Sequence, residues 1–173
     1  SIVQGINFHL LPNHQVVVVD AQKVPNDFSA RFSATKRCYL YRIINRKARL
    51  ALEYNRAWFI PESLDASAMH QAAQRLVGTH DFTSFRDTMC QAKSPIKTLE
   101  RFDITRQGDE IRIELEARSF LHHQVRNMVG TLRLIGNGKW DETKLMEALA
   151  AKHRSAAGET APPDGLYLTR VEY

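Results

Sequence analysis

The chain has 173 residues, enough for one domain with a real core or two small ones, and its 43% apolar and 25% charged content is ordinary for a globular protein. The net charge is +5, which favours a polyanionic partner, with a membrane surface as a weaker possibility; no apolar run approaches the roughly 20 residues of a membrane span. Two cysteines, Cys38 and Cys90, exclude a disulfide framework, sit in no metal-ligand spacing and fit a reducing cytoplasm.

The chain starts at Ser1 and runs directly into SIVQGINFHLLP, with no signal peptide, helix cap or polar tail, which reads as a piece cut from a longer protein. Val16 to Val19, bounded by Asn13 and Asp20, predicts a buried strand, and Pro25-Asn26-Asp27 a turn. Tyr39 to Ile44 predicts a second strand, with Tyr39, Tyr41 and Ile43 on one face. Trp58 to Ile60 is a third, stopped by Pro61. Asp65 then caps a helix whose inner stripe is Met69, Ala72, Ala73, Leu76 and Val77, ended by Gly78.

Thr79 to Ser94 reads as a polar surface loop. Arg101 to Arg106 and Glu110 to Arg118 form a hairpin around Gln107-Gly108-Asp109, with Ile111, Ile113, Leu115 and Ala117 inward. A helix runs from about His123 to Ile135, and Asp141 caps another carrying Leu145, Met146 and Leu149. After a loop over residues 154–164, Leu166 to Tyr173 is a final strand. No repeat or linker divides the chain, so residues 1–173 read as a single domain. Its class is α+β, a largely antiparallel sheet flanked by helices.

Arg31 to Arg49 holds seven basic residues (Arg31, Lys36, Arg37, Arg42, Arg46, Lys47, Arg49), no acid, and three rings, Phe32, Tyr39 and Tyr41. Cations meet phosphates and flat rings meet bases, so the segment suits RNA; a solvated strand edge is the plainer reading. Tyr39 taken alone is more often a half-buried core tyrosine than a site residue. Arg126 sits near the start of a core helix beside Val125 and Met128, where a cation needs a carboxylate partner; a structural ion pair and a site residue both fit. Adjacent His122 and His123 cannot share one helix face, and no carboxylate or thiol lies at ligand spacing, so the pattern does not support a metal site. Residues 79–86 contain Ser, His and Asp but no nucleophile elbow, and read as a capped turn anchored by Phe82 and Phe85.

Four segments in order resemble the C-terminal part of the TruA family of tRNA pseudouridine synthases: Phe28 to Ala34 followed by Tyr39-Leu40-Tyr41; Gly78 to Phe85; Phe120 to Asn127 with Val129-Gly130; and Ala161 to Leu168. The resemblance implies a pseudouridine-synthase-like fold. It also implies isomerisation of uridine to pseudouridine in the tRNA anticodon stem-loop, at positions thirty-eight to forty, without cofactor or metal, by a cytoplasmic homodimer. It casts Tyr39 as the active-site tyrosine that packs on the flipped base and helps remove the C5 proton. Arg126 becomes the partner of a nucleophilic aspartate, and Leu166 the apolar contact to the base. Arg31, Lys36 and Arg37 are then the nearby candidates for phosphate. The family's aspartate motif, of the form G-R-T-D-x-G-V-H, does not occur among the 173 residues. The expectation is therefore an N-terminal half that is absent and a piece that is inactive alone. Two other readings compete with this one: an RNA-binding module without chemistry, and a metal-dependent hydrolase using His122 or His123.

Overall fold

The computed structural model describes residues 1–12 and 15–173, which divide into two units, residues 1–33 and residues 34–173. In the first unit α1 (Ile2–Leu10) contradicts the reading of an uncapped opening. The Ser1 hydroxyl accepts from the Gln4 amide, and the Gln4 side chain accepts from the Ser1 amine, a reciprocal capping box. The predicted valine strand is absent as well. Residues 16–20 pair with no strand among the described residues, and Val17 and Val19 are exposed. The backbone there is held by Asn7, whose side chain accepts from Val18 N and donates to Val18 O, both at 2.8 Å. Asn13, expected to bound that strand, lies outside the described residues. The turn at Pro25 is present, closed by Phe28 N donating to Pro25 O.

The second unit is built on β1 (Lys36–Asn45), the hub of a six-stranded sheet. The β4 (Ile96–Gln107) and β5 (Glu110–Ala117) hairpin turns through Gly108-Asp109, and β5 runs antiparallel to β1 from Arg37↔Ala117 to Ile44↔Glu110. Along its other edge β1 is shared end to end. The last strand, β6 (Leu166–Glu172), pairs antiparallel with its first half, and short β2 (Trp58–Ile60) pairs parallel with its end. β3 (Gly78–Asp81) closes the far side against β4. The sheet is thus largely antiparallel and the class α+β, as the pattern predicts.

Period two gives the sheet one dry face and one charged face. Tyr41, Ile43, Phe102, Ile104, Ile111, Ile113 and Leu115 are buried on the dry side. Against them pack α2 (Ala66–Gln74) and α3 (Gln124–Gly136), through Met69, Ala73, Val125, Met128 and Leu132. α4 (Glu142–Ala150) adds Leu145 and Leu149. Asp65 and Asp141 cap α2 and α4 as expected, each accepting an amide three residues on. α2 ends at Gln74, earlier than its stripe suggests, and Gly78, at φ +100°, instead opens β3. The loop expected from Thr79 to Ser94 is another correction. It begins as β3, and the turn after it buries Phe82, Ser84 and Phe85 completely. The anchored-turn reading of that stretch holds, because Asp81 accepts from both the amide and the hydroxyl of Thr83.

On the charged face Arg42 reaches Glu110 at 2.7 Å and Glu53 at 2.9 Å, Arg101 reaches Asp103, Glu114 and Glu116, and Lys36 reaches Glu100 and Glu116. The basic run from Arg31 to Arg49 therefore lacks acids only in sequence; β5 supplies several of them in space. No helix among the described residues is long and apolar enough to cross a membrane.

Candidate functional site

Tyr39, Tyr41 and Ile43 share the dry face, opposite Leu115, Ile113 and Ile111 of β5. Tyr41 is fully buried, and its hydroxyl donates to Pro162 O at 2.7 Å. Burial pushes its phenol far up, opposed by the Arg126 charge nearby. Tyr39 lies one step toward the rim and is half-buried, its ring edge-on to Phe120 with centroids 5.1 Å apart. Burial raises this phenol too, against the pull of Arg37, so at neutral pH it offers a ring and a hydroxyl proton rather than a phenolate.

Arg126 stands on the first turn of α3. Its Nε donates to Ala161 O at 2.6 Å, and its own carbonyl accepts from Ala161 N at 3.1 Å. Among the described residues no carboxylate pairs with its guanidinium. Leu166 begins β6 directly opposite Tyr41, with Leu168 opposite Tyr39. The 161–166 segment thus joins Arg126, through Ala161, to β1, through Pro162 and Leu166 on Tyr41; Tyr39 lies two residues before Tyr41 on the same face, in ring contact with Phe120.

Two glycines permit this arrangement. A Cβ on Gly130 of α3 would stand 1.9 Å from Glu159 O, and one on Gly165 would stand 2.6 Å from Arg42 O and 2.8 Å from the Tyr41 ring. Asn127, next to Arg126 and almost wholly buried, is a hub the sequence did not reveal. It donates to Phe85 O at 2.8 Å, and its carbonyl oxygen accepts from Thr160 at 2.6 Å and Arg154 at 3.1 Å. A neighbouring pocket lined by Trp58, Ile60, Arg133, Glu159 and Pro162 contains none of the expected site residues.

The two candidate phosphate contacts of the second unit, Lys36 and Arg37, project to opposite faces of β1. Arg37 shares the Tyr39 face and donates to Arg118 O at 2.5 Å. Lys36 projects to the charged face and is ion-paired, chiefly with Glu100, which raises its pKa. Arg31 belongs to the first unit, its guanidinium 5.4 Å from the Phe32 ring centroid. The histidines also differ from expectation. His123 precedes α3 as its cap, in the left-handed region at φ +59°, so helix-face spacing does not govern the pair. The fold brings Asp87 to both of them, the carboxylate that spacing had excluded.

A family profile described as tRNA pseudouridine synthase matches residues 72–173. The chain is similar to tRNA pseudouridine synthase A of Rhodopseudomonas palustris strain BisA53, at 61% identity over 98% of this chain and 68% of that protein. It is likewise similar to the proteins of that name from Parvibaculum lavamentivorans, 56% identical, and Rhodospirillum centenum, 59% identical, each match covering all of this chain and 70% of the relative.

Proposed function

Since the chain belongs to the tRNA pseudouridine synthase family, we propose that it contributes the tyrosine, arginine and leucine of a site that isomerises uridine in the tRNA anticodon stem-loop, at positions thirty-eight to forty. The observation that supports this reading is that the 161–166 segment joins Arg126, through Ala161, to the strand that carries Tyr39, through Leu166 opposite Tyr41.

In this reading the target uridine leaves its stack, because neither face of its glycosidic bond can be reached inside it. Its base lies between the Tyr39 ring and Leu166. An aspartate supplied from outside these 173 residues attacks the nucleotide, and Arg126 keeps that carboxylate ionised in a dry pocket. As the aspartate oxygen bonds C1′ the N1–C1′ bond breaks; the base turns, C5 bonds C1′ as the aspartate–C1′ bond breaks, and C5 gives its proton to solvent past the Tyr39 hydroxyl while N1 takes one from solvent. Nothing is oxidised or reduced, so the step needs no redox cofactor, and its nucleophile is a carboxylate rather than a metal-bound water. Tyr39 serves in its neutral form, as a surface for the base and a hydrogen-bonding hydroxyl beside C5. A homodimer in the cytoplasm completes the proposal, resting on the family resemblance.

The test separates chemistry from binding. In the active full-length protein, Tyr39→Phe and Arg126→Ala should each abolish most turnover while tRNA affinity falls modestly. Equal, small losses in both would favour an RNA-binding module instead. The 173-residue chain alone should form no pseudouridine when incubated with tRNA, and product in that assay would remove the need for an external aspartate.

A further inference from the structure

We propose that Asp87, His122 and His123 form a binding site for a divalent transition-metal ion, zinc foremost, that fastens the segment after Phe85 to the N-terminus of α3. Nδ1 of His123 lies 2.6 Å from one Asp87 carboxylate oxygen, and Nδ1 of His122 lies 3.6 Å from the other. The three donor atoms are all within 4.8 Å of one another. The imidazoles stack at 3.9 Å with planes 27° apart, which turns both Nδ1 atoms toward the same carboxylate.

A structural histidine–aspartate hydrogen bond needs only one ring, and the second aimed ring is what a metal site adds. Zinc at about 2.0–2.2 Å from nitrogen and oxygen ligands sets tetrahedral ligand–ligand separations of about 3.4 Å. The two histidine–carboxylate separations, 2.6 and 3.6 Å, lie on either side of that value and every donor pair is within 4.8 Å, so side-chain shifts of about 1–1.5 Å seat the ion. Two imidazoles and one carboxylate suit zinc, cobalt, nickel or copper, and are poor for magnesium or calcium, which take oxygen ligands.

The surroundings hold the donors in place. Met89 N donates to Asp87 Oδ1 at 2.8 Å, Asp87 N donates to His122 O at 3.1 Å, and His122 N donates to Cys90 Sγ at 3.3 Å. The His122 side chain is 53% exposed, so an ion enters from solvent and water completes its coordination. His123 lies three residues before Arg126, so the ion would anchor the turn on which Arg126 stands without touching the reacting base.

The test is metal binding by the full chain after dialysis against chelator. Cobalt(II) should give visible absorption bands saturating at one equivalent, and zinc should displace it. His122→Asn and Asp87→Asn should each weaken zinc at least about tenfold. Wild-type Tm should rise with zinc, and that of His122→Asn should not. Undiminished zinc affinity in both variants, or no saturable binding to the wild type, overturns the site. If Asp87→Asn fails to fold by circular dichroism, His122→Asn decides alone, because that exposed ring supports no core packing.

Discussion

At the scale of single residues, the proposed role gives Arg126 two jobs that lysine cannot combine. Its Nε is spent on Ala161 O, leaving the rest of the fork for a carboxylate. Arg126→Lys keeps the charge but loses that hydrogen bond, which is worth roughly 1.5–3 kcal/mol for a charged group. Turnover should drop by about ten- to a hundredfold with tRNA affinity nearly unchanged, measured by single-turnover assay beside filter binding. Gly130→Ala tests the same contact from its other side. The new methyl must displace the Glu159 backbone, costing about 1–3 kcal/mol in urea denaturation and moving Ala161 away from Arg126. Motif order singled out Tyr39, Arg126 and Leu166 through the family resemblance, and the fold puts Leu166 opposite Tyr41 and Arg126 against Ala161. Asn127 was not legible as a hub, since its three partners come from turns scattered over residues 85–160.

Among the elements, the charged face makes a pH prediction. The Arg42 hydrogen bonds hold the Glu110 carboxyl below its usual 4.5. A depressed folded-state pKa means the pair stabilises fully above the unfolded value and is lost as pH falls through the folded one. Glu110→Gln should therefore narrow the stability gap to wild type as pH falls below about 4.5, read from urea midpoints across pH. Capping is simpler: Asp65→Ala should cost about 1 kcal/mol, and Tm should fall accordingly. Caps and apolar periods made α2, α3, α4 and the β4–β5 hairpin readable. The valine run failed because β propensity is a preference for a pleated, half-buried surface, and residues 16–20 have no such surface. α1 was missed although Ser1 and Gln4 stand at capping-box spacing, and β3 because its four residues take their order from β4.

Over the whole molecule, charge counted along the chain overstates charge available to RNA. Arg42 and Lys36, two of the seven basic residues of the opening cluster, are answered by acids across the sheet, and Arg46 reaches Asp109. The salt slope of tRNA binding should accordingly imply fewer phosphate contacts than the cluster contains. Lys36→Ala should change affinity less than Arg37→Ala, because Lys36 projects to the face away from Tyr39. Filter binding across a salt series checks both. Equal losses would mean that RNA reaches the charged face as well.

The division of β1 between β5 and β6 also sets an order in time. The β4–β5 hairpin closes through two residues and can form early, but Tyr41 meets Pro162 across 121 residues of chain. Contacts that distant come last, after most of the loop-closure entropy has been spent. A chain still being made, or still folding, therefore holds its tyrosines in a strand with one edge bare. The leucine, and the Ala161 contact that holds the arginine, are added only when residues 161–166 dock, so on the proposed reading an RNA that arrives early meets rings and charge before the site is complete.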